Sequence, residues 1–486
     1  MTFFKENLTR VLLGVVVVIF VMKGLFLSLL MPLFQNPDEQ THYGRVQHWA
    51  EPKEKTWVVK ELHKDEYYFD PRDIRTANLP EETAQSAYLA QFDELVFEKQ
   101  NIQNFQNSSI EKIIAENTWK RYVDTIPSTA ISTQSLYYLS GSWIERVLSH
   151  QSFFTRVLAI RLLSVVLGVL TVFLAYLTAR KIGFSQLISL LFTTMVTFQP
   201  MFSITAAQVN IDIALIFSFS LFLYAGVSLL RQGFSWFPFS LFILSIILGI
   251  ASKGPGIVLV IISIPLLMTL TYRHFHPNKR RFYWGVLLTG SLGIALAFLF
   301  VPATYLASIT NLTATSKFDS PLQSIGSYLE KTIDTGPLRN TAGSYWGNFG
   351  WLDTPIPGWM LSLIIYICVI GLVGALWYIF SKRERPTFLP ERQYILFFLV
   401  TMIALQLAIR FYDWRIFDAT GQIVIGQPGR YFLPNLIAFL AVVVTGLGFL
   451  MRKERRFILV MQVLALSMIL LQLHAIVNVI LPRYYL

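Results

Sequence analysis

Long apolar runs separated by short polar connections dominate the chain. The first extends from about Val11 to Phe34, and others centre near residues 167, 194, 220, 244, 263, 295, 370, 400, 440 and 468. A helix needs roughly 20 apolar residues to cross the ~30 Å hydrocarbon core of a bilayer. The pattern therefore predicts an all-α integral membrane protein with about eleven transmembrane helices. Between the first two runs lies a polar stretch, residues 35–155, with helix-like segments near 86–99 and 109–122, and it reads as a mainly helical cap.

Alternate threading puts Arg180 and Lys181, Arg231, Arg273 with Lys279 to Arg281, Lys382 to Arg385 with Arg392, and Arg452 to Arg456 on the same side as Lys5 and Arg10. By the positive-inside rule that side is expected to be cytoplasmic. The expected organisation is then a cytoplasmic tail (1–10), a first span (11–34), an extracytoplasmic cap (35–155) and spans two to seven (156–306). An outer loop (307–358), spans eight to eleven (359–480) and an extracytoplasmic C-terminus (481–486) follow. The first run lacks a small-residue cleavage signal and is too long for a signal-peptide core, so it is expected to remain as an anchor.

Composition sharpens this reading. Hydrophobic residues make up 54% of the 486 and charged residues only 14%, against roughly 25% in soluble domains. A soluble enzyme and a disordered chain are both excluded. The net charge of +11 suggests nucleic acid until it is resolved along the chain. Residues 35–155 hold 18 acidic and 12 basic residues, a balance of −6, which leaves +17 elsewhere, mostly in the short connections. The charge is a topological signal that also suits anionic membrane lipids, and no nucleic-acid partner is expected. The single cysteine, Cys368, excludes an internal disulfide and a thiolate metal site. Asn107-Ser108-Ser109 and Asn311-Leu312-Thr313 are formal sequons on the expected outer side.

Several groups on that side carry candidate chemistry. Gln35-Asn36-Pro37-Asp38-Glu39-Gln40-Thr41-His42 reads as a helix start, with Asn36 as N-cap, Pro37 first in the helix and Glu39 completing a capping box. A carboxylate held here is equally suited to take a proton from a water-borne acceptor while a lipid-borne donor approaches. Asp38 and His42, four residues apart, share a helix face. Lys23 in the first span and Asp212 at the start of another are costly in a bilayer and demand a partner or cavity. Phe198-Gln199-Pro200 and the run from Thr205 to Asn210 suggest a short helix pair meeting in a polar turn.

Lys253, in Ala251-Ser252-Lys253-Gly254-Pro255, and Arg430, in Gln427-Pro428-Gly429-Arg430-Tyr431-Phe432-Leu433-Pro434, supply the positive charge that a departing phosphate needs. Trp346, Trp351 and Asp353 suit either an interfacial aromatic belt or stacking on a sugar ring. No Gly-rich phosphate loop, paired-histidine zinc helix or Gly-x-Ser-x-Gly elbow is present.

The order of Asn36-Pro37-Asp38-Glu39-Gln40-Thr41-His42, Leu136-Tyr137-Tyr138, Arg161, Gln199-Pro200, Asn210-Ile211-Asp212, Phe349-Gly350-Trp351-Leu352-Asp353-Thr354 and Gly429-Arg430-Tyr431-Phe432-Leu433-Pro434 resembles a family of predicted polytopic membrane proteins within the GT-C glycosyltransferase superfamily. The likeness runs over nearly the whole chain. Gln134 and Ser135 stand where the family commonly has a double proline, and Pro428 stands where a Gly-Gln pair is common. The resemblance implies a GT-C-like bundle that moves a sugar from a polyprenyl-phosphate-linked donor to a glycan, lipid or protein acceptor outside the cytoplasmic membrane, by an inverting displacement.

In those terms Asp38 and its neighbour Glu39 are the candidate catalytic carboxylates, and Lys253 and Arg430 the donor-phosphate cations. His42, Tyr137, Tyr138, Asp212, Trp351, Asp353 and Tyr431 would form the donor and acceptor pocket. No cofactor is expected to be required, with a divalent metal on Asp38, Glu39, Asp212 and Asp353 left open. A transporter or lipid flippase is the alternative from another class, weakened by the lack of an internal repeat, and a non-catalytic envelope-assembly relative is a third.

Overall fold

The computed structural model describes residues 2–51, 79–96, 98, 99, 121, 135–275, 316–333, 335–423 and 428–486. The protein is an all-α integral membrane bundle. α1 (Thr2–Leu30) leads to α2 (Glu39–Ala50), α3 (Glu81–Leu89), α4 (Phe92–Val96) and α5 (Leu136–Val147). Next come α6 (Phe153–Ile182), α7 (Gln186–Thr197), α8 (Pro200–Thr205), α9 (Asp212–Gln232), α10 (Trp236–Ser252) and α11 (Val258–Phe275). The second half holds α12 (Pro321–Ile333), α13 (Thr335–Trp346), α14 (Gly358–Phe380), α15 (Arg392–Thr420), α16 (Leu436–Met451), α17 (Glu454–His474) and α18 (Leu481–Tyr484). A small antiparallel hairpin, β1 (Asn348–Phe349) on β2 (Thr354–Pro355), pairs Asn348 with Pro355.

Among the described residues eight helices are long and apolar enough to cross a membrane, and the shorter apolar α7 and α10 occupy two further expected positions. The expected span near residue 295, the helix-like segment at 109–122 (apart from Arg121) and both sequons lie outside the described residues. Spans alternate in direction, and their ends are tied together. At one end Arg231 Nη1 donates to the Lys181 carbonyl (2.7 Å) and Arg273 Nη1 to that of Leu230 (2.9 Å). This is the basic face; the opposite end holds the carboxylates discussed below.

Burial sorts the spans. The spans Asp212–Gln232 and Gly429–Met451 are each 89% buried over their most apolar stretch, whereas Gly358–Phe380 is 22% buried. Large apolar side chains such as Met22, Val166, Val369 and Leu407 remain exposed along the outer helices. Such a belt is stable against lipid and not against water. The two central spans both begin at the carboxylate face, so their first residues, Asp212 and Gly429-Arg430, are delivered to the middle of that face.

Two helices extend further than the apolar pattern predicts. α15 stays helical past residue 410 because its last turns find partners in the segment 316–328. Tyr328 Oη donates to Asp413 (2.8 Å), Trp414 Nε1 to Ser324 Oγ (3.1 Å) and Ser316 Oγ to Asp418 (2.8 Å). The C-terminal residues are fastened to the bundle: Tyr484 is buried and Tyr485 Oη donates to the Leu30 carbonyl (2.6 Å).

α14 and α16 approach closely through Gly371, Gly374 and Gly446. A Cβ on Gly446 would sit 1.8 Å from the Gly371 carbonyl oxygen, too close for any relaxation of side chains alone. Small residues drive helix association where lipid removes the hydrophobic term. Gly446→Ala is expected to destabilise the protein by about 1–3 kcal/mol, the range typical of overpacking. Gly14→Ala, whose Cβ would meet nothing within 4 Å, is expected to leave thermal unfolding in detergent unchanged.

Candidate functional site

The loop from α1 to α2 is held in an unusual backbone. Phe34 and Asp38 both take left-handed conformations, with φ of 62° and 66°. For a bulky residue such as phenylalanine this costs on the order of 1–3 kcal/mol and persists only where the surroundings enforce it. Here Phe34 is buried against Tyr43 and Phe153, Trp351 Nε1 donates to its carbonyl (3.2 Å), and Arg161 donates to the carbonyls of Ser28 and Met31 at 2.7 and 2.8 Å.

The expected helix cap is not what forms. α2 starts at Glu39, Asp38 precedes it without a side-chain cap bond, and Pro37 lies outside the helix. The Asn36 side chain is buried with neither its nitrogen nor its oxygen hydrogen-bonded. Glu39 is drawn away from any capping box by a stronger partner. Arg161 Nε and Nη2 reach its two oxygens at 2.8 and 2.7 Å, and Val209 N–H donates to the same carboxylate at 2.9 Å. A paired guanidinium offers two charge-assisted bonds where a helix N-terminus offers one neutral donor. Fully buried and saturated, Glu39 holds α2, α6 and the turn before α9 together; it does not face the site.

Asp38 is different: its side chain remains 48% exposed, and Arg430 Nη2 lies 2.6 Å from its carboxylate. Arg430 Nη1 also donates to the Pro37 carbonyl (3.3 Å). Arg430 reaches this point because Gly429 lets the 3-10 turn Gly429–Asn435 press on α13. A Cβ at Gly429 would lie 2.0 Å from the Thr341 carbonyl, and its N–H donates to Ser344 Oγ at 2.6 Å.

The second pair sits alongside. Lys253, in extended backbone at the end of α10, places Nζ 2.6 Å from Asp212 at the start of α9. The ring of Tyr431 joins the two pairs, with Lys253 Nζ 4.5 Å and the Arg430 guanidinium carbon 5.3 Å from its centroid. Asp38, Arg430, Tyr431, Lys253 and Asp212 thus form one continuous cluster. Burial works against the Asp38 charge, but Arg430, with help from Lys253, outweighs it and holds the carboxyl below its usual range.

His42 lines the same cluster through electrostatic contact with Asp38 and Asp212. Its Nδ1 lies 2.6 Å from Tyr138 Oη, and Arg45 donates to that hydroxyl oxygen at 3.3 Å. With that oxygen accepting from Arg45, the Tyr138 hydroxyl has its proton available for His42 Nδ1. Burial, reinforced by Arg45 and opposed by Asp38, pushes the imidazole down to about 3, so near neutral pH the ring is uncharged with its proton on Nε2. Tyr137 turns inward instead, sharing a 2.7 Å bond with Ser164 and accepting from Asn210 N–H (3.2 Å). It fixes the turn before Asp212 and has no contact with the charged cluster.

His42 makes stability depend on pH. Between about pH 6.5 and 3 the unfolded chain binds a proton here that the folded chain rejects, so stability falls as pH falls. Roughly 1–2 kcal/mol should be lost by pH 5. Thermal unfolding of the wild type and His42→Gln across pH 5–7.5 checks this; the variant is expected to show the shallower slope.

Of the remaining sequence candidates, Trp351 braces the loop at Phe34, and Asp353 forms an ion pair with Lys99. Lys23 finds no carboxylate. It donates to the Thr197 carbonyl and to Ser203 Oγ (2.7 Å), completing the C-terminal end of α7 where the chain breaks at Gln199-Pro200 into the expected helix pair. Each of Asp38, Glu39, Asp212 and Asp353 therefore has its own cation, and among the described residues no three His, Cys, Asp or Glu side chains are grouped to hold a metal.

Sequence reasoning passed over a second buried network. Arg156 reaches Glu82 (2.5 Å) and Glu145, Tyr43 Oη donates to Glu145 (3.1 Å), and Arg121 lies 3.1 Å from Glu82. An arginine just inside an apolar run signals such a partner.

No curated protein matches the chain. A family model described as "Predicted membrane protein (DUF2142)" matches residues 20–444. With nearly the whole chain covered, including every member of the Asp38 cluster, the protein belongs to this family of predicted membrane proteins.

Proposed function

We propose that this protein is an integral-membrane glycosyltransferase of the GT-C type, moving a sugar from a polyprenyl-phosphate-linked donor to an envelope glycan, lipid or protein acceptor at the carboxylate face, which we take as extracytoplasmic. The observation that carries the reading is the cluster of two carboxylate–cation pairs around Tyr431, with one carboxylate half-exposed. A transfer of this kind needs one base to deprotonate the acceptor and fixed cations to stabilise the departing phosphate.

At rest the four charges cancel. A donor phosphate competes with Asp38 for Arg430 and with Asp212 for Lys253, and the exchange frees Asp38. The acceptor hydroxyl then gives its proton to Asp38 as its oxygen bonds to the sugar anomeric carbon. The bond from that carbon to the phosphate oxygen breaks, and its electron pair leaves with the lipid phosphate, facing Arg430 and Lys253. Neutral His42 contributes an Nε2–H donor to a sugar or phosphate oxygen, with Tyr138 and Arg45 fixing its tautomer.

Purified protein in nanodiscs, supplied with labelled polyprenyl-phosphate sugars and candidate acceptors, should form labelled product, and Arg430→Gln should suppress it. No transfer from any donor would sink the reading. Movement of an intact lipid-linked sugar across vesicles without transfer would favour a transporter or flippase instead.

A further inference from the structure

On the far side of the Gly429–Asn435 turn from Asp38 lies a second feature, independent of the proposed transfer. A cavity of about 270 Å³ opens between α14, α15 and α13, its walls mostly aromatic and apolar. Arg410 and Gln406, one helical turn apart on α15, stand at one end, and Met402 continues the same face. Arg410 lies 18 residues after Arg392, the first residue of α15. At 1.5 Å per residue this is ~27 Å along the axis, close to the ~30 Å hydrocarbon thickness. Arg410 is therefore at headgroup depth, and Met402 is ~12 Å deeper.

The polar groups of the cavity are under-satisfied. Arg410 makes no ion pair among the described residues, and its one hydrogen bond, to Thr332 Oγ1, is 3.5 Å long. Gln406 makes none among the described residues. Tyr345 Oη and Asn435 Oδ1, on side chains 8% and 4% exposed, are buried without partners among the described residues. Unpaired polar groups facing a lipid-filled space are costly unless a ligand meets them.

The geometry points to a binding site for a bilayer glycerophospholipid, with its phosphate on Arg410, its ester oxygens accepting from Gln406 and Tyr345, and one acyl chain along Phe432, Met402 and Cys368. A guanidinium at headgroup depth selects the phosphate. The donors below it select a lipid with acceptors just beneath the phosphate, which a glycerol ester has and a polyprenyl phosphate lacks.

The test uses the full chain in nanodiscs with lipids carrying one photoreactive acyl chain. Phosphatidylglycerol should label peptides of α14 and α15 at least fivefold more than the matching diacylglycerol, which keeps the esters and lacks the phosphate. Arg410→Ala should erase the difference, Arg410→Lys should retain most of it, and Cys368→Trp, which fills the cavity, should block labelling. Excess polyprenyl phosphate should leave the labelling intact. Equal labelling by both lipids, labelling unchanged in both Arg410→Ala and Cys368→Trp, or displacement by polyprenyl phosphate would overturn the assignment. Thermal stabilisation of wild type, but not Cys368→Trp, by phosphatidylglycerol gives a reading that does not depend on the Arg410 variants folding.

Discussion

Asp38→Asn is expected to lower sugar transfer by about 10²–10⁴-fold, the usual contribution of a general base, a loss far larger than its effect on the folded fraction. The amide keeps the size of the carboxylate but cannot take a proton from the acceptor. Its cost to the fold is moderated because the Asp38 side chain is half in solvent and the amide oxygen still accepts from Arg430, although the guanidinium itself is buried. The neighbouring Glu39→Gln should behave in the opposite way. It leaves Arg161 buried with an uncompensated charge, a change that costs about 3–5 kcal/mol, and any lost activity should track the unfolded fraction. Measuring transfer and unfolding on both variants separates chemistry from architecture. Full activity in Asp38→Asn would end the proposed mechanism.

The largest structural effect is expected at Arg156. Arg156→Met strands Glu145 and leaves Glu82 with Arg121 alone, both carboxylates being buried, in a network that ties α2, α3 and α5 to the start of α6. Breaking one buried pair costs about 3–5 kcal/mol, and here Glu145 is left with no cation among the described residues while Glu82 keeps only Arg121. Unfolding in detergent should shift down sharply, and α2 and α3 should become protease-sensitive first. Arg156→Met combined with Glu82→Gln and Glu145→Gln should recover much of the loss, because no buried carboxylate charge remains and Arg121, which loses Glu82, is partly exposed. A triple variant no more stable than Arg156→Met would show that packing of the guanidinium, not charge, is what matters.

The spans were legible because lipid imposes one rule on every crossing segment: about 20 apolar residues with the backbone satisfied internally. The candidate cations were legible for a related reason, since Lys253 and Arg430 break apolar sequence at the same end of the threading. Partner choice was not legible. The sequence around Asp38 satisfies every rule for a helix cap, yet Arg161, more than a hundred residues later, takes Glu39 and moves the helix start. Local propensity is worth about 1 kcal/mol, and a buried bidentate pair overrides it. Arg156, the Tyr345 and Asn435 orphans around the cavity, and the fastening of Tyr485 to Leu30 are likewise long-range, so no window of neighbouring residues reveals them.

The cluster also sets a timetable for biogenesis. Asp38 and Arg430 are 392 residues apart in sequence, and ribosomes add roughly 5–20 residues per second. Asp38 therefore waits on the order of 20–80 s, from its own synthesis, for its guanidinium. Through that interval the nascent chain carries a charged loop at the membrane surface with no partner. The last helix to insert also supplies the tyrosine that fastens the end of the first. The pairing of Asp38 thus reports late assembly, and a ribosome stalled before residue 430 leaves a bundle that lacks one of its two central spans and in which Asp38 is still without its guanidinium.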